Sequence, residues 1–287
     1  MGTELGRRGV VCDLPLWSAR ALWAAPEVVL AIHRDEVAAG AELLTTNTFR
    51  THRRTLAKEG RGSEAAKWAR QAVLLAREAA RTAGRDVFVL GSMSPLEDCY
   101  RPDLAPAAPE LAAEHAEQAR ALAHAGVDGL LVETQNNVRE LVAAVGAARA
   151  TGLPVIASMV TNGQGSLLSG EPIADAVKAL SASPPDVLSI NCVPARRVAA
   201  DLERLRCASP GSTLGAYGNL GPPSDAAGLI FENEIDPGGY AELAAAWIAS
   251  GARIVGGCCG TTSAHTAALA ALVKQFPHTT NIASPKE

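Results

Sequence analysis

The 287 residues contain no block of basic side chains, no long apolar run and no apolar leader. Net charge is −4, so nucleic acid is not an expected partner. No segment reaches the roughly 20 apolar residues that a membrane-crossing helix needs, so no membrane association is expected. Met1 to Val10 is polar where a secretory signal would carry its apolar core. No Cys-x-x-Cys spacing occurs, and the six cysteines are spread over a long chain. That pattern argues against a disulfide framework and for reduced thiols in the cytoplasm. Aromatics are scarce and alanine is abundant, in an otherwise globular composition.

What is present is a repeated junction. An alanine-rich helical segment ends in a small residue plus glycine, and an apolar run follows. It occurs at Ala39-Gly40, Ala83-Gly84, Ala125-Gly126, Thr151-Gly152 and Ser250-Gly251. Glycine just past a helix end supplies the left-handed cap. The runs predict strands over 42–46, 86–90, 129–134, 154–160, 186–192, 213–219 and 252–258. Their continuous apolar character suits a parallel sheet covered on both faces. Helices are predicted over 26–39, 63–82 (with Ser63 as cap), 109–125, 136–150, 172–182, 194–206, 240–249 and 263–274. Strict βα alternation implies right-handed crossovers and a (β/α)8 barrel, a fold that fits this length. No linker or composition break divides residues 1–287, so one domain is expected, with a frayed tail over 277–287. The count is eight helices against seven strands. The first strand of the barrel is therefore expected to be missing or irregular at the N-terminus. Val10-Val11-Cys12 is too short to supply it.

In such barrels reactive groups sit at the C-terminal ends of the strands. Those ends carry Thr45-Thr46-Asn47-Thr48, Gly91-Ser92-Met93, Glu133-Thr134, Asn191-Cys192, Tyr217-Gly218-Asn219 and Cys258-Cys259. A strand-end threonine usually caps a turn. Glu133 is harder to dismiss, because the end of an apolar strand is a costly place for an unpaired carboxylate. Cys258 and Cys259 are adjacent and lie among Gly256, Gly257 and Gly260; glycine backbone freedom could turn both sulfurs to one point. With Cys192 they form a set of three thiolates, which leaves a zinc ion one open position. Cys12, Cys99 and Cys207 share no evident role.

Gly256-Gly257-Cys258-Cys259-Gly260-Thr261-Thr262, Ile190-Asn191-Cys192, Gly126-Val127-Asp128 with Val132-Glu133-Thr134, and Ala39-Gly40-Ala41 with Thr45-Thr46-Asn47-Thr48-Phe49 resemble the homocysteine S-methyltransferase family. Met1 to Leu5 with Arg8-Gly9 resembles its N-terminal segment, so the match covers nearly the whole chain. The resemblance implies Zn2+ held by Cys192, Cys258 and Cys259, and methyl transfer to the thiol of homocysteine or a similar thiol. It implies that Glu133 holds the substrate ammonium, with Thr46 and Asn219 as further substrate-site residues. Two departures stand out. The strand and Asp-Gly-Gly-like turn that usually precede the segment starting at Met1 are absent, which suggests a longer natural chain. Many relatives using sulfonium donors have arginine after the paired cysteines; this chain has Gly260, and glycine there resembles the betaine- and cobalamin-linked branches.

A thiol near its ordinary pKa is mostly protonated at neutral pH, and zinc binding deprotonates it. The chain has no further region for a folate- or cobalamin-binding domain. The donor is then a free onium compound (S-methylmethionine, S-adenosylmethionine or betaine), or a separate corrinoid protein docks. A homo-oligomer is compatible with this reading. The alternative is a zinc-binding barrel with little or no turnover. A vicinal-dithiol redox protein is disfavoured, because a disulfide between adjacent residues is strained.

Overall fold

The computed structural model describes residues 1–221 and 235–276. Seven parallel strands form one curled sheet in sequential order: β1 (Leu43–Thr45), β2 (Phe88–Met93), β3 (Gly129–Gln135), β4 (Val155–Met159), β5 (Val187–Pro194), β6 (Thr213–Asn219) and β7 (Ala252–Gly257). Each follows a helix that packs against the sheet, so the architecture is that of a TIM-like α/β barrel. All eight expected helices form, with ends within a few residues of the predicted ones. Glycines 40, 84, 126, 152 and 251, one at each junction, have positive φ. At Gly126 this is the left-handed residue that ends the helix Ala108–Ala125.

Among the described residues the sheet is not closed: β1 and β7 are its two edges and do not pair with each other. The outer layer spans this gap instead. The Thr266 hydroxyl, on the helix Ser263–Val273, donates to the Glu36 carboxylate on the helix Pro26–Ala38 at 2.6 Å. A Cβ at Gly40 would lie 2.7 Å from the Ala270 Cβ, so the two helices meet where only glycine fits. A short helix at Gly2–Arg7, which the apolar pattern does not announce, lies over the turn that follows β7. Its Thr3 hydroxyl accepts from the Gly260 N–H at 3.2 Å, and its Arg7 guanidinium donates to the Gly260 carbonyl.

Two local expectations change. Ser63 does not cap the helix Ala65–Ala80; it lies in a 3-10 turn, Gly62–Glu64, and the helix starts without a side-chain cap. The 252–258 run ends as a strand at Gly257, so both Cys258 and Cys259 lie beyond it. The tail 277–287 lies outside the described residues. No helix among the described residues is long and apolar enough to cross a membrane.

Candidate active site

Cys192 is positioned by a break in β5. The β5–β6 ladder shifts register between Asn191 and Pro194, and Cys192 takes a left-handed φ of +57°. A non-glycine residue there costs about 1–3 kcal/mol and persists only where its surroundings hold it. Thr134 does the same on β3, at φ +58°, next to the β3–β4 register shift. Asn191 joins the two breaks. Its Oδ1 accepts from the Thr134 N–H at 2.9 Å and its Nδ2 donates to Thr134 Oγ1 at 2.8 Å.

Cys258 and Cys259 are placed by the turn after β7. The Cys258 N–H donates to the Gly218 carbonyl at 3.0 Å, and the Cys259 carbonyl accepts from the Leu220 N–H at 3.1 Å. Thr261 Oγ1 donates to the Cys258 carbonyl at 2.7 Å. Gly256 and Gly257 do not supply positive φ; of the three nearby glycines Gly260 does, at +87°. Gly257 makes room instead, since a Cβ there would lie 2.3 Å from Thr261 Oγ1. The buried Tyr240 hydroxyl donates to the carbonyls of Gly218 (2.8 Å) or Gly256 (3.0 Å), fixing the ends of β6 and β7 against each other.

The three sulfurs converge. Sγ–Sγ separations are 3.4 Å for Cys192–Cys258, 3.9 Å for Cys192–Cys259 and 4.0 Å for Cys258–Cys259. Sulfurs about 2.3 Å from a tetrahedral zinc stand about 3.8 Å apart. The spacing is far from the roughly 2.0 Å of a disulfide, and all six cysteines carry free thiols. The set therefore fits a metal with three thiolate ligands. Hydrogen bonds with the Cys258 and Cys259 thiols hold Cys192 well below the ordinary thiol range, while the bonds of Cys258 to Cys192 and Cys259 hold Cys258 above it. Tyr100 Oη donates to Cys192 Sγ at 3.4 Å and adds to the stabilisation.

Glu133 lies on the same cavity, nine-tenths buried. Ser92 Oγ donates to its Oε1, and Tyr217 Oη donates to its Oε2 at 3.3 Å. Burial raises its carboxyl to about 7, against the lowering effect of the Ser92 bond. Thr46 borders the cavity, with Oγ1 bonded to Thr48 Oγ1 at 2.8 Å and accepting from the Ser92 N–H at 3.2 Å. It thereby steadies the residue that holds Glu133. Asn219 is fully buried, and its Oδ1 accepts from the Cys259 N–H at 3.1 Å. Cys99 lines the cavity but stands outside the three-sulfur cluster; Cys12 is half-buried and Cys207 exposed. The cavity measures about 1380 Å³, and its lining includes residues of both edge strands, β1 and β7. Ser92, Tyr217 and Tyr100 escape a motif reading. The available signal was a hydroxyl at a strand end for the first two; nothing marked Tyr100.

Residues 1–273 match the family model described as homocysteine S-methyltransferase. The chain belongs to the homocysteine S-methyltransferase family. By that membership it is an S-methyltransferase. A homocysteine S-methyltransferase of Escherichia coli is 32% identical, with 94% of this chain and 92% of that protein aligned. Homocysteine S-methyltransferase YbgG of Bacillus subtilis is 28% identical over 97% of this chain and 94% of its own length. The methionine synthase of Mycobacterium tuberculosis matches at 32% identity, but over only 22% of its length. The crystal structure of the E. coli homocysteine methyltransferase MmuM in its metallated form superposes with a TM-score of 0.79 at 31% identity, covering 94% of this chain and 93% of that one. The family likeness and the seven-stranded sheet agree on a TIM-like barrel.

Proposed function

We propose that Cys192, Cys258 and Cys259 hold one zinc ion, and that the protein moves a methyl group from a small onium donor to the thiol of homocysteine or a similar thiol. The observation that carries this is the convergence of three sulfurs at 3.4–4.0 Å on one wall of the cavity. Zinc bound there supplies the Lewis acidity that deprotonates a thiol at neutral pH. The chain's own residues do the rest. Glu133, when ionised, accepts the acceptor's ammonium. Ser92 and Tyr217 fix its carboxylate, and Thr46 holds Ser92 in place. Asn219 serves the substrate site through the backbone of Cys259.

The sulfur lone pair attacks the methyl carbon, a carbon–sulfur bond forms, and the bond from methyl to the onium centre breaks. The electron pair leaves with the donor as a neutral sulfide or tertiary amine. The thiol proton has already gone to solvent, so the chain need not supply a base at the methyl carbon. Holding sulfur and methyl in line is then the main contribution of the protein. S-methylmethionine, S-adenosylmethionine and betaine all fit this scheme. The reduced thiols fit an enzyme of the cytoplasm.

The test is formation of methionine from homocysteine with each donor in turn, using purified zinc-loaded protein. The second reading, a zinc-binding barrel with little turnover, is favoured by one observation: β1 and β7, which do not pair with each other among the described residues, both line the cavity. Full zinc content without methionine formation from any of the three donors selects that reading.

A further inference from the structure

Among the described residues, Arg50 is a buried cation without a counter-charge. It follows β1, is 8% exposed and lines the same cavity as the three cysteines. Its Nη1 donates to the Glu97 carbonyl at 2.8 Å, and its guanidinium carbon lies 5.4 Å from the centre of the Phe49 ring. Its Nε is buried with no hydrogen-bond partner among the described residues, and its Nη2 makes no hydrogen bond among them either. No described carboxylate lies within ion-pair distance. Arg54, four residues on, pairs with Glu97, Glu110 and Glu114. Asp98, on the same wall as Arg50, spends Oδ1 on the Tyr100 N–H. An uncompensated buried charge is strongly unfavourable, and the free edge formed by Nε and Nη2 is the one that takes a carboxylate bidentately.

We propose that Arg50 anchors the carboxylate of the methyl donor, so that the site selects zwitterionic onium donors over simple onium cations. This rests on the methyl-transfer function proposed above. The function proposed above assigns the acceptor's thiol to the three cysteines and its ammonium to Glu133. We assign the Arg50 edge to the second substrate, and the acceptor's own carboxylate is the competing occupant that the homocysteine titration tests. A bare onium cation entering beside Arg50 meets a like charge. A donor with its own carboxylate pairs with Arg50 while its onium centre turns toward the sulfurs. S-methylmethionine and betaine have this form; trimethylsulfonium does not.

The experiment is titration calorimetry on the zinc-loaded full chain, with S-methylmethionine, trimethylsulfonium and homocysteine added separately. The wild type binds S-methylmethionine and takes trimethylsulfonium far more weakly. In Arg50→Gln, S-methylmethionine binding weakens about 30-fold, the scale of one charge-assisted hydrogen-bonded pair. Trimethylsulfonium binding does not weaken, and homocysteine binding stays within about 3-fold. Arg50→Lys, which keeps the charge but loses the fork, falls between. Zinc content and melting temperature report whether each variant is folded. If homocysteine rather than S-methylmethionine loses affinity, the anchor serves the acceptor and the donor assignment is overturned. If neither changes, or if the wild type binds trimethylsulfonium as tightly as S-methylmethionine, the carboxylate anchor is overturned; the last comparison needs no variant. Binding is read without turnover. A protein that binds the donor through Arg50 yet makes no methionine contradicts the methyl-transfer function and leaves the anchor standing.

Discussion

Asn191 and Thr134 hold each other through two hydrogen bonds, and each sits beside a residue of the candidate site. Asn191 precedes Cys192 and Thr134 follows Glu133. Both Thr134 and Cys192 have left-handed backbones, at points where the β3 and β5 ladders slip. The clamp therefore fixes a metal-ligand candidate, Cys192, and the Glu133 carboxylate relative to each other.

Asn191→Ala should break both at once. It removes two bonds and leaves a buried Thr134 N–H without a partner, a loss of about 2–3 kcal/mol in stability. Urea unfolding measures this. Competition with a chelator should show weaker zinc binding as Cys192 loses its support. A variant with wild-type stability and wild-type zinc affinity would show that the clamp is incidental.

Glu133 predicts a pH dependence of binding. Burial raises its carboxyl to about 7, and only the ionised form attracts an ammonium. Methionine has no titrating thiol, so its binding isolates this group. Its affinity should be flat from about 7 to about 8, before methionine's own ammonium begins to titrate, and fall towards tenfold per pH unit below about 7. Glu133→Gln should bind weakly and without that slope, and Glu133→Ala should lose about 3 kcal/mol of amino-acid binding while keeping zinc. A slope that survives in Glu133→Gln would assign the titration to another group.

Across the β1–β7 gap, Glu36 and Thr266 give a prediction about stability. Burial, the largest influence, raises the Glu36 carboxyl above its ordinary value of 4.5, although the Thr266 bond opposes this. The folded state thus holds the proton more tightly than the unfolded state. The stability from this group is fully present below 4.5 and is lost as pH rises through the folded value. Glu36→Gln should raise the melting temperature at pH 8 and leave it nearly unchanged at pH 4. Thr266→Val should cost about 1 kcal/mol at neutral pH.

The seven strands were legible because each is a continuous apolar run set off by a glycine junction. The open edge was legible too, as an imbalance of seven strands against eight helices. Cys192, Cys258 and Cys259 could be grouped because thiols at strand ends have few structural uses. What places them was not legible. Thr134 and Cys192 adopt left-handed backbones without a glycine to mark the spot. The role of Gly257 is a close approach by Thr261 rather than backbone freedom, and sequence spacing does not distinguish the two. The partners of Glu133 come from β2 and β6, so they appear only once the sheet has curled. The helix Gly2–Arg7 is too short to show a periodic apolar face, yet it covers the cysteine turn.

Serine substitutions separate the cysteines into two groups. Cys12→Ser, Cys99→Ser and Cys207→Ser should each keep full zinc content, since all three lie outside the three-sulfur cluster. Loss of zinc from Cys99→Ser at an unchanged melting temperature would bring that buried thiol into the site.

The most direct test is zinc per chain in the wild type and in Cys258→Ser, purified side by side and assayed for methionine formation before and after chelation. The wild type should carry about one zinc, lose turnover on chelation and regain it on zinc addition, while Cys258→Ser carries little zinc and makes no methionine. Full zinc occupancy in Cys258→Ser, or undiminished methionine formation by zinc-free wild type, would contradict the three-cysteine site as the centre of this protein's chemistry.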